Sequence, residues 1–225
     1  MGQDIRLTAS DGHQLEAYKA VPEGAPKAGG VVVVQEIFGV NGHIRSVCDR
    51  YAAAGYLAVA PAIYDRVERN VQLGYAPEDI TGGREIRARC DMDDVMKDVA
   101  AAADAAAEGG KVGIVGYCWG GLIVYVASCR LGDRLAAGSG YYGASIKTFL
   151  GEAPAVPLML HFGTLDASIP LEEVEAIRKT HGQVEVHVYE GADHGFNCDQ
   201  RKQYHAEAAK LAGERTLAFF AAHLS

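Results

Sequence analysis

Lys111-Val-Gly-Ile-Val-Gly116-Tyr-Cys118-Trp-Gly120-Gly-Leu-Ile-Val-Tyr-Val-Ala127 joins a short apolar run to a glycine-framed turn and then to a second, longer apolar run. The first run has the continuous β-branched character of a parallel strand buried on both faces, and the second is long enough to be helical. Between them the chain must reverse within a few residues. Gly116 and Gly120 flank Cys118 because a side chain at either position would obstruct a backbone folding tightly around an exposed residue. A strand, a sharp turn and a helix with a nucleophile at the tip is the arrangement called a nucleophile elbow, here carrying cysteine instead of serine.

Outward from the elbow the pattern repeats. Gly30–Gln35, Leu57–Pro61, Val156–Gly163 and Val184–Tyr189 read as further strands, and they alternate with helical stretches at Ile44–Ala54, Arg84–Ala107, Gly121–Leu131, Leu171–Lys179 and Lys202–His223. Such alternation predicts an α/β architecture, a mostly parallel central sheet with helices on both faces. Ile5–Thr8 and Gln14–Ala20, separated by Ser10-Asp11-Gly12, read as an antiparallel edge hairpin with a tight two-residue Asp-Gly turn. Ala62–Gly83, with Tyr64, Tyr75 and two arginines, lacks periodicity and reads as a long loop of the kind that shapes pockets.

Composition narrows the function classes. The 225 residues carry 21 Lys and Arg against 29 Asp and Glu, a net charge of −8, so no basic footprint for nucleic acid or anionic lipid is expected. A chain of this length fits one domain, 1–225, and a monomer is the expected state. Met1–Ser10 has no signal-peptide run, Met1-Gly2 lacks the residue pattern for myristoylation, and no apolar run is of membrane-spanning length. The 5 cysteines are widely spaced with no C-x-x-C, which argues against disulfides or structural zinc and for a cytoplasmic location.

Three residues sit where an acyl-transfer triad would need them. Cys118 lies at a helix N-terminus, where the dipole favours thiolate and the Trp119 backbone N–H is aimed to help bind an oxyanion. Asp166 follows the Val156–Gly163 strand and His194 follows the last strand, in the loop Gly191-Ala-Asp-His-Gly-Phe196. The chain order nucleophile, acid, histidine is that of the α/β-hydrolase triad. Glu36 ends the first buried strand, where a carboxylate is costly unless it faces a crevice or a partner. Facing the thiol, it would hold the resting sulfur protonated and so shield it from oxidation. The other histidines, at 13, 43, 161, 181, 187, 205 and 223, show no ligand spacing; neither a metal nor a cofactor is expected.

These residues together resemble the dienelactone hydrolase (carboxymethylenebutenolidase) family, a cysteine-dependent branch of the α/β-hydrolase fold. Gln35-Glu-Ile-Phe-Gly-Val-Asn41, Gly116-Tyr-Cys-Trp-Gly-Gly121, Gly140-Tyr-Tyr-Gly143, the Asp166 loop and Gly191–Phe196 match in order. The resemblance implies hydrolysis of dienelactone to maleylacetate, in aromatic catabolism, through a Cys118-His194-Asp166 triad and an acyl-enzyme, with substrate binding displacing Glu36 from Cys118. It also implies an oxyanion hole from the Ile37 and Trp119 N–H groups, and substrate contacts from Phe38, Tyr142, Phe196 and Arg84, with Arg87 as the neighbouring alternative. One departure stands out. The family's arginine four residues after the histidine, which grips the substrate carboxylate, is replaced by Cys198, leaving open a broader esterase or thioesterase acting on neutral esters.

Overall fold

A computed structural model describes residues 2–24 and 28–225; Met1, part of the segment read above for a leader, lies outside them. Eight strands form one sheet in the order β1-β2-β4-β3-β5-β6-β7-β8. They are β1 (Gln3–Thr8), β2 (Gln14–Ala20), β3 (Gly30–Val34), β4 (Leu57–Pro61), β5 (Val112–Tyr117), β6 (Ala137–Tyr141), β7 (Leu158–Gly163) and β8 (Glu185–Tyr189). The β1/β2 and β2/β4 pairs are antiparallel, and every pair from β4 through β8 is parallel. Every residue of β3, β4 and β5 is buried, which explains the unbroken apolar runs.

Among the described residues there are six helices: α1 (Gly42–Ala53), α2 (Pro77–Arg87), α3 (Met92–Ala106), α4 (Trp119–Arg130), α5 (Leu171–Thr180) and α6 (Ala206–Leu224). Two glycines of β5 show that both faces are covered. Successive strand residues point to opposite faces, so Gly113 and Gly116 do too. A β-carbon on Gly113 would press on Phe220 and Leu224 of α6, whereas one on Gly116 would meet Val124 of α4. Tyr51 of α1 reaches Phe220 at 6.2 Å, which puts α1 beside α6.

Four expectations are corrected. The stretch Arg84–Ala107 is two helices, because the Asp91 side chain accepts from the N–H groups of Asp93 and Asp94 and starts α3 afresh. The loop Ala62–Gly83 holds a 3-10 turn at Ile63–Arg66 and the first turns of α2, opened by Pro77. The hairpin turn has three residues rather than two: Gly12 N–H donates to Ala9 O, Ala9 N–H donates to His13 O, and Gly12 takes φ +85°. The final helix begins at Ala206, capped by His205, whose Nδ1 accepts from Ala208 N–H at 3.2 Å.

The strand β6, Ala-Gly-Ser-Gly-Tyr, carries no β-branched residue and is absent from the strands expected from the sequence, yet it is buried between β5 and β7. Its small residues are the reason it fits. A β-carbon on Gly138 would lie 2.4 Å from Ser128 Oγ, so α4 sits directly against this strand.

An ion cluster ties the edge hairpin to the helical layer. Arg66 donates from Nε and Nη2 to the two oxygens of the fully buried Asp98, at 2.8 Å each, and from Nη1 to Asp11 of the hairpin turn at 3.0 Å. Removing one partner strands a buried charge. Arg66→Ala is therefore expected to cost roughly 3–5 kcal/mol, read from urea unfolding, with Asp98→Asn in the same background recovering part of the loss. A loss below about 1 kcal/mol, the size of a surface pair, would contradict this account.

Candidate active site

The elbow is built from backbone touching backbone. A β-carbon on Gly116 would lie 2.2 Å from the Gly120 carbonyl oxygen, and one on Gly120 would lie 2.6 Å from the carbonyl oxygens of both Val34 and Gln35. The glycine spacing is thus a steric requirement, and it also brings the end of β3 against the start of α4. Cys118 is held at φ +55°, ψ −115°, a conformation that L side chains rarely adopt. The N–H groups of Trp119, first residue of α4, and of Ile37 donate to no other backbone group among the described residues. Tyr64 steadies the Ile37 peptide from below by donating its hydroxyl to Ile37 O at 3.2 Å, and its ring stacks on Trp119 at 5.4 Å.

The three triad candidates meet at the C-terminal edge of the sheet. Asp166, buried in the loop after β7, accepts the Ser168 N–H through Oδ1 at 2.9 Å and faces His194 Nδ1 through Oδ2 at 2.8 Å. That geometry fixes the imidazole with Nε2 as the nitrogen free for proton transfer. Burial pulls the His194 imidazole down, but the charge of Cys118, the Asp166 carboxylate and hydrogen bonds to both outweigh it, raising it to about 10. A protonated imidazole beside sulfur is the electrostatic setting in which a thiol becomes a nucleophile.

Glu36 has a guanidinium, not the thiol, as its hydrogen-bond partner. Among the described residues it makes no hydrogen bond to the Cys118 sulfur; its Oε1 accepts from Arg201 Nη1 at 3.3 Å and its Oε2 has no partner. The physical reason is competition. A guanidinium offers a buried carboxylate charge compensation that a thiol cannot. Burial raises the Glu36 carboxyl above its ordinary value, opposed by the positive charge of Arg201 and then of His194.

Arg201 is the residue that the sequence reading missed. Two successive turns, Cys198 N–H to Gly195 O at 2.9 Å and Arg201 N–H to Cys198 O at 3.1 Å, carry the chain back over the site. Gly195, at φ +86°, leaves the room: a β-carbon there would be 2.6 Å from Arg201 Nη1. The guanidinium stands over the rings of Phe38 at 5.8 Å and Tyr75 at 5.9 Å. Its position was visible in sequence only as an arginine three residues beyond Cys198.

Of the other residues expected to meet substrate, Phe38, Tyr142 and Phe196 are all buried around His194 and Glu36. The Tyr142 ring lies 5.2 Å from both His194 and Phe196, and its buried hydroxyl has no partner. Arg84 lies further out. With Arg87, Cys90, Trp119 and Phe149 it lines a cavity of about 380 Å³ on the Trp119 side of the elbow. Free hydroxyl, free carboxylate oxygen and free N–H groups around one sulfur provide for binding and polarising a small polar carbonyl compound.

Comparison with known proteins follows the same lines. The pattern of the dienelactone hydrolase family matches residues 15–224. A relative from Synechocystis sp. is 36% identical over 230 residues, covering 94% of this chain and 93% of its own. The carboxymethylenebutenolidase of Pseudomonas putida is 34% identical over 232 residues, covering 97% of this chain and 96% of its own. A crystal structure of a Klebsiella pneumoniae protein superposes with a TM-score of 0.81 at 32% identity, covering 97% of this chain and 99% of that one. The sheet order and these likenesses identify the α/β-hydrolase fold.

The raised imidazole has a testable source. Nitrogen-15 NMR of the histidine rings is expected to show His194 protonated through pH 8 and titrating near pH 10, and to show its pKa falling in Cys118→Ala, where the sulfur charge is gone. The sign follows from linkage: with the folded value about 10 above the ordinary 6.5, the stabilisation is complete below pH 6.5 and is lost as pH rises through 10. A His194 ring that titrates near 6.5 in the unsubstituted protein would refute the proposed coupling.

Proposed function

The chain belongs to the dienelactone hydrolase family, and from that membership we propose that it is a cysteine-dependent hydrolase of carboxylate-bearing lactones, dienelactone foremost, giving maleylacetate. The observation that carries the carboxylate is Arg201. It is a mostly buried guanidinium between two aromatic rings whose carboxylate partner is Glu36 at 3.3 Å, so a substrate carboxylate can take the place of Glu36. Cys198 in place of the family's arginine therefore leaves no vacancy in charge.

In the proposed reaction Cys118 Sγ, as thiolate, attacks the lactone carbonyl carbon, and the oxyanion forms where the free N–H groups of Ile37 and Trp119 can receive it. Collapse breaks the ring C–O bond and leaves an acyl group on sulfur, while His194 gives its proton to the departing oxygen. Water then adds to the thioester carbonyl, its proton passing to His194, and the acid leaves as the thiolate is restored. Asp166 holds the ring through both steps. Phe38, Tyr142 and Phe196 form the walls, and Arg84, with Arg87 beside it, contributes positive potential at the far side of Trp119.

A Glu36 released from Arg201 is a buried carboxyl whose raised pKa lets it take up a proton while the substrate carboxylate holds the guanidinium. Neither a metal nor another cofactor enters these steps. The chain is proposed to act as one domain over 1–225, as a monomer, in the cytoplasm and in aromatic catabolism; its 5 cysteines are all free, and no helix among the described residues is long and apolar enough to cross a membrane.

Initial rates on cis- and trans-dienelactone beside a neutral p-nitrophenyl ester test the reading. Cys118→Ala is expected to lose roughly 10⁴–10⁶-fold in turnover of both. Arg201→Met is expected to raise KM for dienelactone at least about tenfold, the loss of one charge-assisted contact, with the neutral ester much less affected. Activity retained without Cys118 would defeat the chemistry, and equal loss on both substrates in Arg201→Met would defeat the carboxylate assignment.

A further inference from the structure

Two buried side chains that the proposed reaction does not use, His43 and Cys198, lie beside Glu36. One donor atom each from Glu36, His43 and Cys198 lie within 4.8 Å of one another, and all three residues are buried. Both ring nitrogens of His43 and the Oε2 oxygen of Glu36 have no hydrogen-bond partner. Orphaned polar atoms at zero exposure are rare in folded proteins and call for a ligand, an ion or a water. Here they belong to a nitrogen, an oxygen and a sulfur donor, the set preferred by a borderline-soft divalent transition ion.

A second shell is also present. Asp199 Oδ1 lies 3.3 Å from His43 Nδ1, close enough for a small shift to make it the carboxylate that orients a metal-ligating imidazole. Glu36 can serve two partners, since Oε1 is on Arg201 and Oε2 is unpaired. The guanidiniums of Arg50 and Arg201 oppose a cation, and the carboxylates of Glu36 and Asp199 with a Cys198 thiolate counter them. Asp199 also lines a neighbouring cavity of about 340 Å³, with Arg50, Asn197, Tyr117 and Tyr204.

We propose that Glu36, His43 and Cys198 form a metal site for zinc or a similar divalent ion, with Asp199 as outer-shell partner and a fourth position for water. The site stands on geometry alone and holds whether or not the chain hydrolyses lactones. Tetrahedral zinc needs donors roughly 3.3–3.8 Å apart, so the side chains close by about an ångström. As the S–Zn bond forms, the S–H bond of Cys198 breaks and its proton leaves to solvent.

The test uses chelator-stripped Cys118→Ala protein, which removes the other thiol beside an imidazole. Titration with zinc chloride against a chromophoric chelator is expected to give one ion per chain, with about one proton released. Cys198→Ser is expected to weaken binding roughly 100-fold or more, and Asp199→Asn roughly 10- to 100-fold. Cobalt(II) in the same protein is expected to show a thiolate-to-metal charge-transfer band that is missing once Cys198 is replaced. Three results would each overturn the proposal: no zinc taken up at micromolar concentration, equal affinity in Cys118→Ala/Cys198→Ser, or a cobalt complex of folded Cys118→Ala protein without the band.

Discussion

The contact on which this structure rests is between main chains. The Gly120 backbone lies against the carbonyl groups that end β3, so closely that no β-carbon would fit between them. This contact places Ile37, two residues beyond, and Trp119, one residue before, on either side of the same sulfur. The same economy recurs at Gly163, where a β-carbon would lie 2.2 Å from Ala192 O and the histidine loop closes on β7. Close backbone approach at the strand ends thus sets the positions of Cys118, the Ile37 and Trp119 N–H groups and His194 together.

Charge is arranged around that frame in two linked pairs. His194 stands between the carboxylate of Asp166 and the sulfur of Cys118, and Arg201 stands between Glu36 and the rings of Phe38 and Tyr75. Neither pair is buried with its charges fully spent. Glu36 keeps an oxygen without a partner and Tyr142 a hydroxyl, and each is costly in a dry interior unless something arrives to meet it. Substrate, ion and resting protein compete for the same few polar atoms.

Much of this was legible in the sequence, and the exceptions have physical causes. Strands buried on both faces announce themselves by apolar runs, and Cys118, Asp166 and His194 were found because each follows one. β6 escaped because its task is to be thin: Gly138 and Gly140 admit α4, and small residues leave no periodic signal. The break between α2 and α3 turned on one capping aspartate inside a helix-forming stretch. Arg201 was hidden by arithmetic. A fixed offset from the histidine lands on Cys198, and only the two turns of the loop bring an arginine back to Glu36. The Glu36 hydrogen bond goes to Arg201 for the same reason, since only the folded loop brings that guanidinium within reach.

The left-handed backbone at Cys118 has a consequence beyond geometry. A non-glycine residue in such a conformation is held there at a cost of order 1–3 kcal/mol, supplied by the packing around it. Folding and reactivity therefore make opposite demands at this position. A descendant of this chain no longer selected for turnover would gain stability from glycine at 118, and the elbow would relax while the surrounding sheet stayed as it is. On the proposed chemistry, the strained cysteine at the tip is kept against a standing pull toward a more comfortable and inert protein.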